Sequence, residues 1–480
     1  MKAKTMSPDG HQREPAWLDI AITAVYAAVI GYLSVRHAFW GDEAQQWLIA
    51  KASHGLVELY RNRLYEGHPI AWYLLLYPLA HLSDDPEWIK LPQFLISVAA
   101  VWLTIHNFLT RGWEKLLFPF GALFIFYYPV VVRPYMLGYL LLVMACMAAR
   151  KPGRPTLTLV LLGLMASLHV YFAVIAGAFV LFYLWDIGLS PRTLRRFQPR
   201  FWLALAFTAA MCALTLYQVW PQPGGKYKGD DYVNSWWTLP AILERGLAPG
   251  IELPIPFALI ASLVLLMLFA AFRARLRIGL FLALSGGILM AALCLVYGHA
   301  AWHAGTLFMC LLAAMFLIRS SATSDTLAYP ASTGALAALL ALQAAGTVFL
   351  LPHILDEPCS NGKYVAALIR QHCPAGCTVL SDQDEAAGPV SAYLGGQPIY
   401  YVNRSAFATY VIRDDRRLRP NDLADDISAI EAVRPAIAIF NRDLSAEDAA
   451  RAHLTLLQRF TGAMNPDELY TVYATGYEPR

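Results

Sequence analysis

Asp42 and Glu43 are adjacent carboxylates, and Glu66 and His68 follow them in the same polar stretch. That stretch reads FWGDEAQQWLIAKASHGLVELYRNRLYEGHPIAWYLLLYPL and comes directly after a long apolar run, which puts the acidic pair at the height of a membrane surface. A carboxylate there keeps its charge while facing a substrate carried on a lipid, a setting that suits a general base acting on a hydroxyl. The structural alternative is that Asp42 caps a helix over 43–59, with Glu43 in its first turn. Capping accounts for Asp42 well and for Glu43 only in part. Glu66 with His68 would orient a hydroxyl or position a cation, although Pro69 would open a helix in either case. Arg61 and Arg63 read as contacts to anionic headgroups.

Arg133, Pro134 and Tyr135 separate two further apolar runs. A guanidinium at that boundary would pair with a lipid-linked phosphate; the plainer alternative is a hairpin with an interfacial Arg and Tyr. His169, His299 and His303 sit near span ends, where imidazoles serve as structural hydrogen-bonding groups as readily as substrate contacts. Lys226, Lys228, Asp230 and Asp231 lie in a stretch, 221–254, rich in Pro, Gly and Trp. This composition suits a cover over a pocket, while solvated loop charges are the simpler explanation for the four.

The elements that must position these groups follow from composition. Of 480 residues, 58% are hydrophobic and 15% charged, against roughly a quarter charged in a soluble domain. The chain is therefore integral to a membrane, and disorder or a fibrous fold is excluded. A net charge of +3 lends no support to nucleic-acid binding. Apolar runs approaching the ~20 residues of a crossing helix fall at 17–37, 91–110, 115–132, 134–150, 156–168, 171–187, 201–220, 255–272, 277–297, 301–319 and 331–352. The first is long for a cleaved signal and is expected to be retained. Basic residues mark the cytoplasmic side. If 69–82 is a juxtamembrane helix that does not cross, the clusters at 111–115, 150–154, 192–200 and 273–277, with Arg319, all fall inside. The expected fold is mainly α: about eleven spans with juxtamembrane helices in the first external loop, N-terminus in and C-terminus out.

Residues 1–355 form the expected membrane domain and 356–480 a small extracytoplasmic α/β domain. Helices are predicted at 363–372, 385–394, 425–433 and 446–460, and strands at 378–380, 398–402, 436–440 and 470–473. Charge agrees with the division: 25 basic and 17 acidic residues up to 355, and 12 basic and 17 acidic after it. No GxGxxG, P-loop or GxSxG occurs, so the tail reads as a supporting or acceptor-recognition domain. Cys146, Cys212, Cys294 and Cys310 lie in apolar runs. Cys373 and Cys377 would pair in an oxidising compartment; zinc with His372 is the alternative, short of the usual second pair of ligands.

In order and expected placement, these residues resemble the C-type (GT-C fold) glycosyltransferases, in particular bacterial relatives of protein O-mannosyltransferases and lipid A aminoarabinose transferases. The resemblance rests on Asp42 and Glu43, on Glu66, His68 and Pro69, on Arg133, Pro134 and Tyr135, and on His169 followed by Tyr171 and Phe172. It implies a multi-pass inner-membrane enzyme that moves a sugar from a polyprenyl phosphate to a lipid, glycan or protein hydroxyl on the outer face. Asp42 matches the family's catalytic acidic position, and Glu43 is its neighbour. Arg133, with Lys226 and His303, would hold the leaving phosphate; Glu66, His68, Tyr135 and His169 would contact substrate. A divalent cation bridging Asp42 and Glu43 is compatible with the pattern but not marked by it. Ile70 stands where many relatives have a second Pro, and His303 where an Arg is common. The rival readings are a lipid-linked-sugar flippase or carrier, which needs polar residues through both leaflets, and an external glycan polymerase or ligase, which relies on Arg and His in a late loop. Charges at span ends rather than mid-span argue against proton-coupled transport.

Overall fold

The computed structural model describes residues 15–151, 153–188, 197–225, 235–251, 255–297, 300–321, 327–374, 376–414, 422–466 and 468–477. Lys226, Lys228, Asp230, Asp231 and His299 lie outside these. The chain divides into two compact units, one of Met1–Val35, Pro92–Trp220 and Gly229–Leu351, the other of Arg36–Leu91, Pro221–Lys228 and Pro352–Arg480.

The first unit is helical. It comprises α1 (Ala16–Arg36, whose last residue belongs to the second unit), α5 (Lys90–Asn107, from Pro92 on), α6 (Gly112–Leu117), α7 (Tyr135–Ala149), α8 (Pro155–Ala166), α9 (Val170–Asp186) and α10 (Pro199–Val219). It continues with α11 (Leu239–Leu247), α12 (Phe257–Ala274), α13 (Leu276–Leu295), α14 (Ala301–Ala304), α15 (Thr306–Ser320) and most of α16 (Ala328–Asp356). Seven helices in the described chain are long and apolar enough to cross a membrane, and α7, α8 and α9 are shorter apolar helices. The protein is thus a multi-pass membrane protein, as its composition requires.

One expected span differs. The apolar run 115–132 is not a single helix: α6 stops at Leu117, and a π-helical turn follows over Leu123–Tyr127. Pro119 cannot donate to a helical ladder, and Pro129 ends the turn in the same way. Buried polar groups anchor the broken segment. Glu114 is enclosed and accepts from Arg319 Nη1 and Nη2 at 2.8 and 2.5 Å, and Gln343 Oε1 accepts from the Leu123 N–H at 3.2 Å. Breaking a buried ion pair of this kind on one side costs ~3–5 kcal/mol.

The second unit joins the segment after α1 to the C-terminal region. Its first part is α2 (Gly41–Ala52), α3 (Leu56–Asn62) and α4 (Ile70–Leu82). The helix expected over 43–59 is two helices, broken at Ser53, whose hydroxyl donates back to the Ile49 carbonyl. Pro69 stands at the N-cap of α4. With 13 residues at ~1.5 Å each, α4 is shorter than a ~30 Å hydrocarbon layer.

The C-terminal part holds α17 (Gly362–His372), α18 (Asp384–Tyr393), α19 (Leu423–Val433) and α20 (Ala446–Arg451) around one six-stranded sheet. Its strands are β1 (Val379–Ser381), β2 (Ile399–Tyr401), β3 (Ala406–Ala408), β4 (Ile437–Phe440), β5 (Thr455–Phe460) and β6 (Tyr470–Ala474), in the order β3-β2-β1-β4-β6-β5. β2, β1 and β4 run parallel, with Leu380 beside both Tyr400 and Ala438; β3, β6 and β5 are antiparallel to their neighbours. Buried Leu380, Ala438, Phe440 and Tyr473 lie in its core.

The helix predicted over 446–460 is a correction. Ser445 caps only a short helix, His453 turns to a positive φ of 54°, and 455–460 becomes an edge strand. The left-handed turn ends the helix, and pairing with β6 takes up the backbone groups of a segment whose side chains stay largely exposed. Cys373 and Cys377 form a disulfide.

Candidate functional site

Two clusters gather the residues singled out by sequence, one in each unit.

In the second unit, α2 presents Asp42 in its first turn, where a helix N-terminus favours a negative charge. Trp40, not Asp42, is the N-cap residue, and the reciprocal contact comes from Glu43, whose Oε2 accepts from the Trp40 N–H at 3.5 Å. The same Oε2 lies 2.7 Å from His37 Nε2, with both side chains enclosed. The two adjacent carboxylates therefore have different surroundings. Glu43 is part of the scaffold around α2, while Asp42 stays partly accessible, its side chain 30% exposed.

Around Asp42 the unit assembles groups that local sequence does not associate. Arg413 Nη2 lies 3.8 Å from Asp42 Oδ1, its Nε 3.9 Å from Glu66 Oε1, and its Nη1 3.3 Å from Glu385 Oε1. One guanidinium thus serves three carboxylates. Gln45, one turn along α2 from Asp42, donates to Glu66 Oε1 at 2.7 Å and to the Val411 carbonyl at 2.6 Å, and accepts from the Val411 N–H at 2.9 Å. Arg413 is held close to α2 because Gln45 fixes Val411 two residues earlier. Asp414, next to Arg413, pairs through its backbone with Gly225, immediately before the undescribed Lys226.

Glu66 and His68 lie in the turn before α4. The side chain of Glu66 faces Gln45 and Arg413, and its carbonyl oxygen is 2.7 Å from His68 Nδ1. Arg63 is fully buried rather than a headgroup contact: it donates to the His68 carbonyl at 3.0 Å and stacks on Tyr60 at 4.5 Å. Burial pulls this guanidinium below its ordinary value, with Tyr60 and Tyr73 opposing the shift. Arg63 braces the turn that carries Glu66 and His68. Among the described residues, no group of three or more His, Cys, Asp or Glu is arranged to hold a metal ion.

In the first unit, Arg133 and Tyr135 at the start of α7, His169 at the start of α9, and His303 on α14 are all buried. His169 caps α9, its Nδ1 accepting from the Tyr171 N–H at 3.3 Å. With Nδ1 an acceptor, the neutral ring carries its proton on Nε2, which lies 3.4 Å from the Tyr135 hydroxyl. His303 stands amid rings, with centroids 5.7 Å from His169, 5.8 Å from Tyr135, 5.5 Å from Tyr171 and 4.9 Å from Tyr297. Gly305, two residues after His303, lets Tyr128 approach: a Cβ there would come within 2.3 Å of the Tyr128 hydroxyl. The result is a cluster of aromatic rings and imidazoles, largely buried but exposed at Tyr297, with a buried guanidinium, Arg133, nearby in sequence.

Sequence reasoning missed Arg413, Glu385 and Gln45. Glu385 lies in the first turn of α18 and Arg413 in an irregular segment. Neither carries a local signal, because each matters through what it meets far along the chain.

The fold defines a class: a polytopic helical membrane protein carrying a small α/β unit. No protein-family model matches the chain, and no curated protein does. Two solved structures are similar. The crystal structure of ArnT from Cupriavidus metallidurans in the apo state superposes with a TM-score of 0.57 at 14% identity, over 96% of this chain and 99% of that one. The structure of ArnT from Cupriavidus metallidurans bound to undecaprenyl phosphate gives the same TM-score at 13% identity, over 97% and 99%. At such identity the likeness is one of fold, and at that level it meets the resemblance read from the residues.

Proposed function

We propose that the protein is a membrane glycosyltransferase that moves a sugar from a polyprenyl-phosphate donor to an acceptor hydroxyl on the extracytoplasmic face. The observation that carries this reading is the partly accessible Asp42 at a helix N-terminus, ringed by Glu66, Glu385 and Arg413, within a fold shared with a protein solved bound to undecaprenyl phosphate.

Asp42 takes the proton of the acceptor hydroxyl as that oxygen attacks the anomeric carbon. The bond to the phosphate oxygen breaks on the opposite face, with inversion. Glu66, held by Gln45, and His68 hold hydroxyls of donor or acceptor. Arg413 offsets the mutual repulsion of the three carboxylates. Arg133, with Tyr135, His169, His303 and Lys226, takes the charge that develops on the leaving phosphate. Residues 1–355 are taken as the membrane catalytic domain and 356–480 as the extracytoplasmic α/β domain. The Cys373–Cys377 disulfide supports an oxidising compartment for the C-terminal region, and the basic clusters at 111–115, 150–154, 192–200 and 273–277 support the N-terminus in and the C-terminus out of the inner membrane.

The deciding experiment compares wild type and Asp42→Asn in proteoliposomes supplied with labelled polyprenyl-phosphate sugars. Undiminished transfer by the variant, at equal folded abundance, sinks the assignment of Asp42. A topology reporter fused after Arg480 should be active only outside the cytoplasm.

A further inference from the structure

Glu468 is a carboxyl that the proposed chemistry does not use. It lies two residues before β6 and is 2% exposed. Its Oε1 accepts from the Gly41 N–H at 2.6 Å and from Asn465 Nδ2 at 2.8 Å. Gly41 is the first residue of α2, and the next is Asp42.

The first N–H groups of a helix have no acceptor within the helix. Side chains just ahead of the helix usually supply one, but Trp40 has no oxygen to offer and makes no side-chain cap. Here the acceptor comes from 427 positions along the chain. The approach is close: a Cβ on Gly41 would stand 3.2 Å from Glu468 Oε1, a tight contact that the carboxyl group would have to ease by a few tenths of an ångström, and 3.6 Å from the Glu385 carbonyl oxygen, an ordinary one.

We propose that Glu468 is a positioning residue, which holds the Gly41 N–H and so sets the direction in which Asp42 presents its carboxylate. This inference rests on the reading of Asp42 as the base. It makes the C-terminal region part of the active machinery rather than an appendage.

The state of Glu468 fits the task. Burial pushes its carboxyl up to about 8; Asp42 acts in the same direction, and hydrogen bonds from Ser360, Gly41 and Asn465 act against it. Cys359 and Tyr470 are the other titratable groups coupled to it. Near neutral pH it is a neutral acid whose carbonyl oxygen accepts from Gly41. Glutamine reproduces that acceptor, whereas methionine fills the same volume without one.

The test uses the full chain in lipid nanodiscs as wild type, Glu468→Gln and Glu468→Met. Hydrogen exchange is read on peptides covering 39–46, with the β6 peptide as the check on folding. In Glu468→Met the amides at the start of α2 should exchange about fivefold faster, the scale of a lost cap, and in Glu468→Gln they should stay as in wild type. In the transfer assay Glu468→Met should lower kcat by roughly 10- to 100-fold, as a misplaced catalytic group does, with KM within twofold, and Glu468→Gln should restore it. Unchanged exchange in a folded Glu468→Met, or a loss that Glu468→Gln does not restore, overturns the proposal. If Glu468→Met does not accumulate folded, Glu468→Asp, which withdraws the oxygen by one methylene, takes its place with the same expectations. Absence of transfer by wild type would instead remove the reading of Asp42, while the exchange measurement still decides whether Glu468 holds Gly41.

Discussion

The two clusters use opposite electrostatics. Around Asp42, three carboxylates share one guanidinium, and Asp42 and Glu385 keep side-chain exposures of 30% and 47%. Around His303 the groups are rings, most of them buried, and Arg133, two residues before Tyr135, is buried as well. A proton acceptor needs water or an incoming hydroxyl within reach, so partial exposure suits the first cluster. An anion is held most strongly where water is excluded, so enclosure suits the second. Under the proposed function, the contrast would separate proton transfer from phosphate binding by environment rather than by residue type.

The sharpest way to break this contrast is Asp42→Asn, which should cut kcat by ~10² to 10⁴ with little change in donor KM. An unchanged kcat would mean that the exposed cluster is not where the proton goes. Arg133→Gln should come next, at ~10² in kcat/KM, and it should weaken retention of polyprenyl phosphate measured directly by binding. Because Arg133 is buried, its effect should hardly vary between low and high salt. Arg413→Ala should cost less, roughly three- to tenfold, and the loss should shrink as ionic strength rises, since its partners are partly exposed. A salt-independent loss at Arg413 would erase the distinction between the clusters. His169→Ala should remove the cap of α9 and lower stability by ~1 kcal/mol, read as a fall in Tm. Smallest of all, Arg451→Ala, at an exposed pair with Asp448, should shift stability by less than ~0.5 kcal/mol.

Legibility followed the range of the interactions. The helices at 363–372 and 425–433 were readable because their apolar spacing is local, and the structure has α17 and α19 there. The segment 446–460 misled because its first half is a true helix. Only the left-handed turn at His453 and the pairing of β5 with β6 tell the second half apart. The run 115–132 misled for a related reason: hydropathy is blind to a break that Pro119 imposes and that Glu114, Arg319 and Gln343 stabilise from elsewhere. At the site, Asp42, Glu66 and His68 stood out because they interrupt an apolar context. Glu43 stood out equally, yet its carboxylate is committed to His37 and Trp40.

Composition and periodicity alone determined that this chain lives in a membrane, carries a small α/β region, and sets acidic residues beside its first span. Those properties are sums over neighbouring residues, which a linear pattern records. Which carboxylate remains accessible, and which partners surround it, was decided only by the tertiary structure. Gln45 meets Val411 across 366 positions and Gly41 meets Glu468 across 427. Hydrogen bonds act over about 3 Å, so only folding can choose between such partners.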